Sequence, residues 1–181
     1  MAKILFIVRF FRSLIGDALY LQSLRKRFPG VIFRANISIV ENGKNLTLGS
    51  GTEIAQNTFI NCGGQKWSEY KGYFKCGKQC YIGPNSVIFA AGEIEMGDCC
   101  LLWGSINLMS FEHSFIDKSK PYALQPNQYA KITIGNNVCI GANTTVTRGV
   151  TIGDNAVIEA NSFIDYNVPA NAVVAKTKTA S

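Results

Sequence analysis

Histidine is almost absent: among 181 residues there is only His113. That excludes a zinc site built from several imidazoles of one chain, and any relay between two histidines, so no metal is expected. Charged residues are few, at 17%, whereas hydrophobic residues make up 47%. A chain of this make-up has enough apolar surface for a core and is not mainly disordered. No run of eighteen apolar residues is free of charge, which excludes an ordinary membrane-spanning helix. No cleavable signal is expected either. The apolar run Ile4–Val8 is too short, and Arg9 and Arg12 follow it. A cytoplasmic chain with reduced thiols is therefore expected, although six cysteines are present.

A basic face is also missing from the body of the chain. The formal charge is +6, but residues 1–28 hold +5 of it through Lys3, Arg9, Arg12, Arg25, Lys26 and Arg27 against Asp17. The remaining 153 residues are nearly neutral at +1. Nucleic-acid binding needs a basic stripe on the folded surface, so no nucleic-acid partner is expected.

What is present is a period. From Ile134 the chain reads IGNNVC, IGANTT, VTRGVT, IGDNAV, IEANSF and IDYNVP. An aliphatic residue opens each unit, and a small or β-branched residue stands four places later. A helix requires apolar spacing near 3.6 and a strand strict alternation, so a period of six fits neither. It fits a parallel β-helix in which each short strand ends at a corner and the opener points inward. Less regular copies begin at Leu48, Ile54, Cys76, Ile82 and Met96. Three units close one triangular coil, and coils stack at roughly 4.8 Å. Cys76, Cys80 and Cys100 fall on inward positions, where thiols behave as small hydrophobes. The spacings Cys76-x₃-Cys80 and Cys99-Cys100 do not match zinc sites.

Two stretches break the phase, residues 62–75 and 109–131. Insertions in a solenoid leave as loops, and long loops tend to carry function. The second loop holds His113 and Glu112. In the first, Trp67, Tyr70 and Tyr73 suit either a small core of the loop's own or stacking on a sugar. Residues 1–30 read as an amphipathic helical segment stopped by Pro29-Gly30, residues 31–170 as the β-helix, and residues 171–181 as a tail. The helix suits packing on the solenoid end or a neighbouring subunit. Its basic residues also suit peripheral contact with the inner face of a membrane.

The run Ile132–Ala142, followed by Gly149–Ile158, resembles the hexapeptide-repeat acyltransferases, and more narrowly the maltose, galactoside and capsular-sugar O-acetyltransferases. Those enzymes carry a histidine in an extruded loop just before such a run, where His113 stands here. The resemblance implies an all-β, left-handed parallel β-helix, a departure from the usual right-handed crossover. It implies a homotrimer with sites between subunits, and transfer of an acetyl group from acetyl-CoA to a hydroxyl or amine of a sugar or polysaccharide precursor. His113 would be the general base, with Glu112 one option for orienting its ring. Gly141, Ala142, Arg148, Ala160 and Asn161 would wall the cofactor, with Lys176 near its phosphates. An amide N–H near Ala142 would meet the developing oxyanion. Asn61 and Asn107 are further options for orienting the ring or meeting the acceptor. The chain departs from many relatives at Cys139, where they carry Trp, at Asp165-Tyr166, where they carry Thr-Lys, and in its tail. Those departures leave room for a non-catalytic scaffold on the same fold. A metal-dependent hydratase like the γ-class carbonic anhydrases would need three histidines.

Overall fold

The computed structural model describes residues 16–41, 44–64, 66–69 and 71–175. Within them the chain coils through strands of two or three residues, each hydrogen-bonded in parallel to the equivalent strand one coil away. Three sheets result. Sheet A has seven strands, from Ile32–Phe33 to Val173–Val174. Sheet B has six, from Ser38–Val40 to Phe163–Ile164, and sheet C has five, from Leu46–Leu48 to Thr151–Ile152. The repeat phase fixes the register. Ile54, Ile82, Leu102, Ile140 and Ile158 align in one inward column. Ile60, Ile88, Leu108, Val146 and Ile164 align in another. All ten are 1% exposed or less. Each would lose about 2–5 kcal/mol on truncation to Ala, which is how a one-coil-wide core holds the stack.

Small residues occupy the inner corners, as the fourth-place pattern requires. Thr52, Cys80, Cys100, Val138 and Ala156 form one such column, and all are buried. The Cys80 thiol donates to the Gly97 carbonyl at 3.2 Å, and Cys100 to that of Gly135 at 3.1 Å. Cys62 is buried too, and desolvation pushes its thiol up to about 12. Cys62 is thus an inert thiol of the core, not a nucleophile. Cys99 is exposed and Cys139 half-buried.

Asparagine turns an outer corner. Asn57, Asn85, Asn143 and Asn161 have φ between 58 and 60°, a left-handed conformation that short polar side chains tolerate. Their amides also stack, with Asn57 donating to Asn85 at 3.1 Å and Asn143 to Asn161 at 2.8 Å. Another corner demands glycine for a different reason. A methyl group on Gly49 would lie 2.5 Å from the backbone carbonyl of Gly77 in the next coil.

Residues 16–27 are helical and lie over the first coil. Leu24 and Phe28 enter the core beside Phe33 and Ile37. Arg25 donates to the Phe33 carbonyl at 3.2 Å, Arg27 pairs with Glu41, and the Tyr20 hydroxyl accepts from the Ile39 amide at 3.2 Å. This part of the N-terminal segment packs on the solenoid end, one of the two placements its sequence suits. The rest of that segment, residues 1–15, lies outside the described residues, as does Lys176. Among the described residues no helix is long and apolar enough to cross a membrane.

Gly49→Ala is expected to destabilise the fold by about 1–3 kcal/mol, because only backbone is available to move. Gly16→Ala, where an added methyl meets none of the described residues within 4 Å, should be neutral or raise stability by up to about 1 kcal/mol. Thermal unfolding of both variants checks the contrast.

Candidate active site

Both phase breaks leave the solenoid at the same corner, between sheets B and C. The first joins Asn61 to Phe74 in the second coil, and the second joins Met109 to Ile132 in the fourth. At its base, the Ala130 amide donates to the Ser110 carbonyl at 3.0 Å, so the second excursion begins and ends in register. Its limbs form an antiparallel hairpin, Phe111–His113 against Asn127–Tyr129. The pairs are Phe111 with Tyr129, Glu112 with Gln128 and His113 with Asn127.

Alternation gives the hairpin two faces with different work. One carries Glu112 and Gln128. There Arg148, from the coil above, donates from Nε to Glu112 at 2.8 Å and from a terminal nitrogen to Gln128 at 2.7 Å. Glu112, Thr147, Arg148, Phe163 and Asp165 line a groove of about 320 Å³ on this side. The other face carries Phe111, Tyr129, His113 and Asn127. Trp67 of the first loop packs on Phe111 with ring centroids 5.2 Å apart, and Phe89 of sheet B meets Phe111 at 5.6 Å. The Tyr129 hydroxyl donates to the Trp67 carbonyl at 2.7 Å. Trp67 thus serves the loops' shared core, and the two excursions brace one another.

His113 stands at the end of its strand with its side chain exposed. It makes no side-chain hydrogen bond to any described residue. Glu112, expected as an orienting group, faces the other way, and its carboxylate is occupied by Arg148. Arg148, expected at the cofactor wall, spends its guanidinium on anchoring the hairpin. Asn61 is buried and its Oδ1 accepts from the Gly63 amide at 2.9 Å, which starts the first loop. Asn107 lies on the outer face of sheet B, with its amide 3.4 Å from the Thr145 hydroxyl. Gly141, Ala142, Ala160 and Asn161 gather at another corner, between sheets A and B. Their coils touch closely there. A methyl on Gly141 would lie 2.4 Å from the Ala160 amide, and the Asn161 amide donates to the Ala142 carbonyl at 2.8 Å. The Ala142 side of that corner is exposed, and its amide donates to none of the described residues.

The outer face of sheet C fastens the returning ends of both loops. Glu95 accepts from Lys131 at 2.6 Å, from the Tyr73 hydroxyl at 2.6 Å and from Lys75 at 3.2 Å. Lys131 first, and Tyr73 next, hold the Glu95 carboxyl well down, at about 2. Tyr73 and Lys131 are the re-entry points of the two excursions, so one carboxylate ties them to the intervening coil. Tyr70 lies outside the described residues.

Several of these residues escaped the reading from sequence: Phe89, Phe111, Asn127, Gln128 and Glu95. A signal for the hairpin was there. Phe-Glu-His and Asn-Gln-Tyr each alternate with period two on either side of a loop holding two prolines.

Comparison with known proteins agrees with this architecture. Residues 131–166 match the family described as the hexapeptide repeat of succinyl-transferase. Over 132 residues the chain is 31% identical to galactoside O-acetyltransferase of Escherichia coli K12, an alignment that takes in 67% of this chain and 62% of that enzyme. The chain thus spans less than two thirds of that relative. AntD, an N-acyltransferase from Bacillus cereus solved with dTDP and 3-hydroxybutyryl-CoA, superposes with a TM-score of 0.67 at 16% identity, over 84% of this chain and 81% of that one. A hexapeptide-repeat acetyltransferase of Vibrio cholerae solved with acetyl-CoA gives 0.51 at 23% identity, over 90% and 74%. The fold is the left-handed parallel β-helix, as the resemblance implied. The repeats and the coil of this chain are similar to those of the hexapeptide-repeat acyltransferases.

The Glu95 network carries a pH signature. A carboxyl held at about 2 when folded, against 4.5 ordinarily, adds stability that is complete above 4.5 and lost as pH falls toward 2. Glu95→Gln should therefore lower the melting temperature at pH 7, and the gap to the parent protein should close in acid. Melting curves across that range check it.

Proposed function

We propose that the protein transfers an acetyl group from acetyl-CoA to a hydroxyl or amine of a sugar or polysaccharide precursor, with His113 as the general base. One observation carries this reading. The sole imidazole of the chain is presented unbonded and exposed on a braced hairpin, beside a coil whose relatives bind acyl-CoA. The chemistry needs a base of that kind. A sugar hydroxyl is too weak an acid to attack a thioester unaided. A neutral imidazole, with an ordinary pKa of about 6.5, takes the proton as the oxygen bonds to the carbonyl carbon. The tetrahedral intermediate then collapses, the C–S bond breaks, and the same proton passes to the leaving thiolate.

The geometry supports a shared site. His113 stands at the corner between sheets B and C, whereas the open Ala142 amide stands at the corner between sheets A and B. The whole width of sheet B separates them within one chain. A second copy that brings its own A–B corner against the hairpin would complete the site, with the Ala142 amide aimed at the oxyanion. A homotrimer satisfies this three times over by rotation, since a closed ring leaves no site half-built. Gly141, Ala160 and Asn161 then line the donor's path along the same corner, and Asn107 lies on the face toward the acceptor. A donor of this kind places the reaction in the cytoplasm.

Titration calorimetry with acetyl-CoA should show saturable binding near one per chain. His113→Ala should keep that binding and lose at least about a hundredfold in rate, the lower end of what a general base contributes. An unchanged rate in a folded, acetyl-CoA-binding variant would overturn the assignment. Failure of the parent protein to bind acetyl-CoA would favour a scaffold on the same fold.

A further inference from the structure

We infer that Asn127 is the positioning residue of His113: its side-chain oxygen accepts the Nδ1 proton of the imidazole and leaves Nε2 bare to act as the base. This rests on the acyl-transfer reading for its purpose, but not for its geometry.

The two residues are register partners across the hairpin. The ladder shows which kind of pair they form. The Ser114 amide donates to the Pro126 carbonyl at 2.9 Å, and the Ala130 amide to the Ser110 carbonyl at 3.0 Å. Those pairs flank the hairpin in the hydrogen-bonded register. Counting inward, Glu112–Gln128 is also hydrogen-bonded, and His113–Asn127 is not. Non-hydrogen-bonded pairs bring side chains closest, on the same face of the sheet.

The Asn127 amide has a fixed orientation and an unused acceptor. Tyr129 spends its one hydroxyl proton on the Trp67 carbonyl, so at 3.1 Å it can only accept from the Asn127 nitrogen. That nitrogen also lies 3.5 Å from the same carbonyl. Both contacts demand N–H on that side, which settles which end of the amide is oxygen. The oxygen therefore points away from Trp67. It is shut off from solvent and is the one buried side-chain polar atom among the described residues without a hydrogen-bond partner. Native structures rarely leave such an acceptor empty, because burial strips it of water without return. The imidazole opposite has no partner either, and it carries a ring N–H. The proposed bond joins these two register partners through rotation of the His113 side chain. Glu112 and Arg148, the charged groups nearest in sequence and in the coil above, bind each other on the far face and do not compete.

Which nitrogen keeps the proton in a neutral imidazole is set by the bond the other makes. In water a free imidazole side chain favours the proton on Nε2, which would leave the distal nitrogen unable to act as a base. Acceptance at Nδ1 reverses that preference.

The test uses the intact protein labelled with ¹⁵N. One histidine gives one set of imidazole signals, so the tautomer is read directly from long-range ¹H–¹⁵N couplings above the pH of ring titration. The parent protein should show the Nδ1–H form. Asn127→Ala should revert to the Nε2–H form of a free side chain. Asn127→Asp keeps an acceptor in place and should keep the Nδ1–H form, which guards against a variant that merely loosens the loop. In turnover, Asn127→Ala should lower kcat by roughly tenfold or more, part of the 10²–10⁴ a general base supplies, with KM for acetyl-CoA unchanged. The same tautomer in the parent and in Asn127→Ala would overturn the inference, whatever the activity. The expected tautomers in a protein that acetylates no sugar would uphold the positioning and sink the acyl-transfer reading instead.

Discussion

The stacking of backbone on backbone governs this molecule. Each coil donates its amides to the coil beside it, in a register that repeats from Ile32 to Val174. Nothing can be inserted into a strand without breaking two neighbouring ladders. Additions are therefore forced to the corners, and they must return to the position they left. The bond from Ala130 to Ser110 marks such a return. It turns nineteen extra residues into a hairpin with a fixed base, and the whole candidate site hangs from it.

The requirement also explains why so many unlike side chains serve one end. Arg148 from above, Phe89 and Trp67 from below, and Lys131 through Glu95 all hold the hairpin to the stacked coils. A single exposed ion pair contributes little, about 0–1 kcal/mol. Here several weak contacts converge from three coils on two short strands, and aromatic packing supplies the apolar part. The imidazole stays free of all of them. These contacts steady the backbone beneath His113 and leave its ring open, as the proposed role in proton transfer requires.

The sequence made the solenoid legible because a period of six brings each opener back to the same inward column one coil later. Ile134, Ile140, Val146, Ile152, Ile158 and Ile164 were enough to assign faces, and each is buried as the phase requires. The inward burial of Cys76, Cys80 and Cys100 followed from the same phase. The loops were legible only as places where the phase failed. Their internal pairing depends on contacts between residues far apart in the chain, such as Trp67 with Phe111 and Tyr129, and no local pattern announces those. Adjacency misled in one case: Glu112 neighbours His113 in sequence, yet a strand sends neighbours to opposite faces. Asn127, fourteen residues away, shares the face instead. Resemblance supplied the corner around Ala142 but not its distance from His113, because a corner's position along a chain does not reveal which edge of the prism it occupies.

The two-faced hairpin makes the chemistry a matter of parity. An even change in the number of residues between Met109 and His113 would preserve which side chains look outward. An odd change would exchange them, turning the imidazole toward Arg148 and presenting the Glu112 carboxylate in its place. Only the tip between Ser114 and Pro126 lies outside the paired limbs, so its length sets no face. The three residues between Met109 and His113 are not free in the same way, because their number decides which side chain the hairpin turns outward.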